Sequence, residues 1–206
     1  MTKLILLLIF SILISGCTTL NKQQLDAVER GEKAMVVSRC IALTPPVGII
    51  IKDYNPEVCT TSWYVTEGQK ESATAVLQST NTQPIIIDVV EPGIYNLEFF
   101  VATKLDSWNG YYNTYKASNL NGLAKFEVKG GEIIYIGDLE FNLRNSAVIA
   151  KAISVLDNRA VAKTALARRY SSKFSDRIQT RLIQLSPEAI KFKNTDNAIN
   201  TNLVTQ

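Results

Sequence analysis

Any chemistry in this chain has to be done without histidine, because its 206 residues contain none. That removes Ser-His and Cys-His dyads, in which an imidazole takes the nucleophile's proton. The reactive thiols are three, Cys17, Cys40 and Cys59. None sits in a nucleophile motif, and without imidazole ligands beside them a metal site is not expected. Paired carboxylates remain: Asp88 with Glu91, and Asp138 with Glu140, fall near strand ends and could in principle serve glycoside hydrolysis. Alternating acids in such places are far more often solvated surface. Lys129-Gly130-Gly131 lacks both the following Lys-Ser/Thr and the strand-to-helix setting of a phosphate loop. The chain therefore reads as a non-enzyme, with no catalytic residue and no cofactor.

Cys17 has a different chemistry in view. Met1-Thr2-Lys3 forms a short positive start, followed by an apolar run from Leu4 to Ile14. About 11 apolar residues is the length of a signal-peptide core, well short of the roughly 20 that span a bilayer. The run ends in Ile14-Ser15-Gly16-Cys17, which resembles the bacterial lipobox: an aliphatic residue, two small ones, then the cysteine that receives diacylglycerol before cleavage. The resemblance implies an export signal over residues 1–16 and a lipidated Cys17 as the first mature residue. Several acyl chains on one residue make a stable anchor, since each buried methylene contributes about 0.8 kcal/mol. Thr18 follows the cysteine. In Gram-negative lipoproteins an Asp there resembles the inner-membrane retention signal, so for such a source the implied address is the periplasmic face of the outer membrane.

What remains is a mature chain of about 190 residues, enough for one medium domain. The whole chain carries a formal charge of +3, Lys3 included. So small a surplus does not point to nucleic acid. Cys40 and Cys59 would face an oxidising compartment, and a disulfide between them is the leading expectation, with two buried free thiols as the alternative. The bond would close a loop of about 20 residues and contribute roughly 3 kcal/mol.

Residues 17–33 are polar and read as a tether or a short helix holding the domain off the lipid. Strand signals then follow at short spacing: 35–37 with 40–43, then 49–52, 62–66, 73–77, 85–90, 95–102, 123–128 and 133–141. They are rich in Ile, Val, Phe and Tyr and bounded by turn residues. The pattern predicts a mainly β chain: a single antiparallel β-sandwich of seven or eight strands over residues 34–156. Pro92-Gly93 predicts a type II turn, and Lys129-Gly130-Gly131-Glu132 a tight hairpin between the strands on either side.

Over residues 84–141 the order Pro-Gly-Ile-Tyr, an alternating strand, a Gly-rich turn and Ile-Tyr-Ile-Gly-Asp-Leu resembles the carboxypeptidase-regulatory-like or transthyretin-like β-sandwich of exported bacterial proteins. In that family the Pro-Gly turn precedes a core strand. The resemblance implies a scaffold or interaction module and names no ligand.

Residues 157–193 predict a C-terminal helical segment, capped at Asp157 or Asn158 and running to about Tyr170, with a further element carrying Ile178, Leu182, Ile183 and Leu185 at helical spacing. Residues 194–206 read as a disordered tail. Arg168 and Arg169 gather in the helix's last turn, where cations favour the macrodipole, and a contact with anionic lipid, glycan or partner is the functional alternative. Trp108, Tyr111, Tyr112 and Tyr115 sit among Asn and Thr in a loop over 107–115 that could stack on sugars or present a protein-binding surface. Together these features predict a membrane-anchored accessory lipoprotein whose partner is another cell-envelope protein, with cell-wall glycan as the alternative ligand.

Overall fold

The computed structural model describes residues 20–43, 58–65, 74–105, 112–117, 120–143 and 150–189. Helix α1 (Lys22–Glu29) comes first. Nine strands follow: β1 (Ala34–Leu43), β2 (Val58–Val65), β3 (Thr74–Thr80), β4 (Ile85–Val90), β5 (Gly93–Leu105), β6 (Tyr112–Ala117), β7 (Ala124–Val128), β8 (Ile133–Leu143) and β9 (Ala150–Leu156). Helices α2 (Arg159–Arg169) and α3 (Ser172–Ser175) lead to two short strands, β10 (Gln179–Thr180) and β11 (Gln184–Leu185). The strand signal at 49–52 lies outside the described residues.

The strands form two sheets, one of five strands and one of six. In the first, β4 and β8 flank β1; the far edge of β8 is shared, its start by β10 and its end by β9. In the second, β3 and β5 flank β2; the far edge of β5 is shared by β7 and β6, and β11 lies beyond β7. The mainly β sandwich read from the sequence is what forms. Most pairs are antiparallel, but β1 runs parallel to β8, as does β10.

Alternation explains the inner core. Along β1, Val36, Cys40 and Ala42 meet Trp63, Leu77, Leu97, Phe100, Ile134 and Phe141 from both sheets. Phe100 of β5 stacks on Phe141 of β8 with centroids 3.9 Å apart, joining the sheets face to face. Cys40 and Cys59 form a disulfide across the interior, with Cα atoms 5.7 Å apart, and it ties β1 of one sheet to β2 of the other. Both cysteines are buried.

The first sheet is covered on its outer face too. Met35, Val37, Ile85, Ile87, Ile133 and Tyr135 pack under Leu20 and Val28 from the N-terminal segment and Ala162, Leu166, Phe174 and Ile178 from the C-terminal one. Burial on both faces is why these strands read as unbroken apolar runs instead of alternating ones. Each such Leu, Ile or Val, fully buried, contributes about 1.5–3 kcal/mol. The molecule therefore has three layers: helices, first sheet, second sheet. From Leu20 on, residues expected as a tether or short helix are a helix packed on the fold, and its Asn21 cap exchanges hydrogen bonds with Gln24 in a capping box.

Two turns differ from expectation. Lys129 to Glu132 does not close a hairpin, because β7 belongs to the second sheet and β8 to the first. The turn instead crosses between layers, pinned by Gly131 N–H donating to Lys33 O at 2.8 Å. Gly130 lies so close to Gly31 that a Cβ would stand 2.0 Å from its carbonyl oxygen. Pro92-Gly93 likewise links the sheets, and Gly93 is the first residue of β5 with φ 158°, far from the +80° of a type II turn. Residues 178–185, expected at helical spacing, are extended: the segment pairs first with β8, then with β7, passing from one sheet to the other. Ile178 and Ile183 are buried along it and Leu182 is exposed. The apolar positions that mimic a helical stripe are thus spread over a crossing strand.

Candidate functional site

The most buried charge among the described residues is the carboxylate of Asp138, 1% exposed. A bulge puts it there. Between Val37 and Arg39 of β1, strand β8 carries an extra residue, and Gly137 adopts φ 97° to absorb it. Asp138 then faces the outer side of the first sheet, where Arg39 pairs with it at 2.7 Å. The Tyr135 hydroxyl donates to it at 2.8 Å and the Asn158 side-chain amide at 2.7 Å. Tyr135 in turn accepts the Asn158 backbone N–H at 2.9 Å, and burial pushes its phenol well above the ordinary range. Every member has a partner within the cluster, which ties together the junction of β8, β9 and α2.

The other carboxylates singled out from the sequence are also occupied. Glu140 accepts from Ser154 at 2.9 Å, and Glu91 pairs with Lys33 at 2.7 Å. Asp88 accepts the Val89 N–H at 2.7 Å, and burial raises its pKa. Neither pair forms two opposed carboxylates across a cleft. Arg39 and Tyr135 carry no signal in the sequence and Asn158 reads there only as a helix cap; the one pointer to the cluster is an Asp set in the apolar run of β8.

A different surface carries unneutralised charge. Helix α2 lies over the first sheet on Ala162 and Leu166 and turns its other face outward, with Val161 51% exposed. Beside it runs an open groove of 690 Å³, walled by Pro84, Ile85, Val161 and Ala165 and closed at one end by Arg168 and Arg169. Arg169 reaches back to the Ile85 carbonyl at 3.4 Å. Arg168 is exposed and has no partner among the described residues. By contrast Lys163, also on α2, pairs with Asp176 at 3.1 Å, and Lys173 pairs with Glu29. Arg168 and Arg169 thus stand together without a carboxylate partner among the described residues.

The same helix end receives the start of the fold. Leu20 is buried, and its N–H donates to the Tyr170 hydroxyl at 3.0 Å, one residue beyond Arg169. Leu20, the first described residue, is thus held to the residue that follows the two arginines in sequence. Cys17 itself lies outside the described residues. So do Trp108 and Tyr111 of the aromatic segment, while Tyr112 and Tyr115 belong to β6, paired with β5 at the margin of the second sheet. Those two residues, expected in a loop, are on a strand. No helix among the described residues is long and apolar enough to cross a membrane.

No known protein-family model matches the chain, and no curated protein does. Among solved structures, a leucine-rich repeat protein from Bacteroides thetaiotaomicron is similar at 10% identity and a TM-score of 0.35, over 56% of this chain. The chain spans 14% of that structure's length.

Proposed function

We propose that this chain is a lipid-anchored, non-catalytic module of the bacterial cell envelope, held to its membrane through Cys17 and serving as a docking scaffold for another envelope protein. The observation that carries the reading is Ile14-Ser15-Gly16-Cys17 closing an apolar run of signal-peptide length, three residues ahead of the buried Leu20. The disulfide supports it, since such a bond persists in an oxidising compartment outside the cytoplasm. The three-layer sandwich supplies rigid surface, and Asp88, Glu91, Asp138 and Glu140 each bond within the fold.

Two measurements test this. The intact mass of the protein purified from its membrane is expected to begin at Cys17 and to include a diacylglyceryl group; an uncleaved, unacylated N-terminus sinks the anchor. In-cell crosslinking with mass spectrometry is expected to give one dominant envelope protein, lost in Cys17→Ser. Enrichment of cell-wall fragments in place of a protein would reject the scaffold reading in favour of glycan binding by the 107–115 segment.

A further inference from the structure

We propose that the Arg168–Arg169 end of α2, with the groove beside it, docks on the anionic headgroups of the membrane that holds the lipid anchor, so that the domain lies on the bilayer in one orientation with its helical layer down. The inference rests on the anchor reading above and adds the surface and its ligand class.

Three observations converge. Leu20 is fixed to Tyr170 by a 3.0 Å hydrogen bond, and three residues of chain reach at most about 11 Å, so an acylated Cys17 cannot lie far from the α2 C-terminus. Second, that terminus carries two adjacent guanidiniums with no carboxylate partner among the described residues, while Lys163 and Lys173 nearby are neutralised by Asp176 and Glu29. Guanidinium forks suit phosphate oxygens and keep their charge at any physiological pH. Third, the arginines close a groove walled by Pro84, Ile85, Val161 and Ala165, apolar surface of the kind that rests at the boundary between headgroups and acyl chains. A cation near an anionic leaflet gains about fivefold in binding, so two give about 30-fold.

The full acylated protein is reconstituted into nanodiscs of phosphatidylcholine, with or without a third of phosphatidylglycerol, and a nickel-chelating lipid is added as a headgroup relaxer. A spin label is carried by Val161→Cys on α2 or by Lys125→Cys, exposed on β7 of the second sheet, the layer remote from the helices. Docking is expected to relax the label at 161 far more than that at 125, in anionic discs only. Arg168→Gln breaks no contact among the described residues and should reduce the docked population about fivefold; Arg168→Gln with Arg169→Gln should reduce it about 30-fold. Equal relaxation at both labels, equal relaxation at 161 in neutral and anionic discs, or a protein that co-purifies and shields 161 in place of lipid overturns the proposal. The intact mass separates the two readings: without the acyl group the anchor fails and docking with it, whereas an acylated protein with indifferent labels refutes docking alone.

Discussion

Tyr135 and Asp138 are three apart in one strand, yet the tyrosine hydroxyl donates to the carboxylate at 2.8 Å. In a regular strand residues three apart face opposite sides. The extra residue at Gly137 restores them to the same side, and the outer face of the first sheet gains a buried acid with an arginine, a phenol and an amide around it. Tyr135→Phe keeps the volume but leaves Asp138 and the Asn158 N–H each one bond short, at a cost of about 1–3 kcal/mol. Asp138→Ala strands the half-buried Arg39 and is expected to cost more, about 3–5 kcal/mol. Urea midpoints measure both; values no larger than those of surface substitutions would mean the cluster holds nothing together.

Gly137 and Gly122 separate crowding from backbone conformation. Both have positive φ, 97° and 79°, but a Cβ at 137 would stand 2.4 Å from Val155 Cγ1 whereas one at 122 meets nothing within 4 Å. Gly122→Ala should therefore cost about 1–2 kcal/mol, the left-handed penalty alone. Gly137→Ala should cost clearly more in the same thermal melt, and equal losses would show that Val155 gives way freely.

Cys40 and Cys59 stand 19 residues apart, and their bond shortens the open chain's reach. Replacing both by Ala is expected to lower stability by roughly 3 kcal/mol, with a matching effect of reductant on the wild type alone. Non-reducing peptide mapping checks the bond directly: two free thiols would refute it.

Two carboxylates should respond to pH in opposite senses. Burial raises Asp88, so its ionisation opposes folding: the cost is absent below its ordinary value of 3.8 and grows as pH rises through the folded pKa. Asp88→Asn is thus expected to stabilise at pH 7 and not at pH 3. Glu132, bound by both terminal nitrogens of Arg181 at 2.7 and 2.8 Å, is lowered by that hydrogen bonding, so its contribution is present above its ordinary value of 4.5 and lost as pH falls through the folded pKa. Glu132→Gln should therefore destabilise at pH 7 and be neutral at pH 2. Urea midpoints at the two ends decide, and parallel pH profiles for wild type and either variant would rule out that carboxylate.

Local patterns wrote themselves plainly into the chain, and layer assignment did not. Strand β4 falls on the run 85–90 with the bounds its composition predicts, and β7 shows strict alternation, Ala124, Phe126 and Val128 buried while Lys125 and Glu127 are exposed. Helix α2 forms where its spacing predicts, but the Asn158 side chain goes to Asp138 and makes no cap hydrogen bond. The Gly130-Gly131 turn announces a reversal but not which sheet receives the next strand; the clue was the unbroken Ile133 to Ile136, which only a strand covered on both faces needs. Strand β6, Tyr-Asn-Thr-Tyr-Lys-Ala, is too polar to stand out and is made a strand by its partner β5. In the 17–33 segment, Leu20 and Val28 are few among charged neighbours, so their burial depends on a sheet surface assembled from β1, β4 and the distant β8. The two arginines were visible in the sequence, but their shared end with the chain's entry appears only when Tyr170 meets Leu20.

That meeting also sets a timetable. The outer face of the first sheet is completed by residues 20–28 and by residues 162–178 together, and β1 lies against β8 from the far half of the chain. A chain threaded through a translocation channel from its N-terminus can build none of this until nearly all of it has emerged. For the exported lipoprotein proposed above, such distant pairings, slow to form, would leave the outer face of the first sheet open until residues 162–178 had emerged.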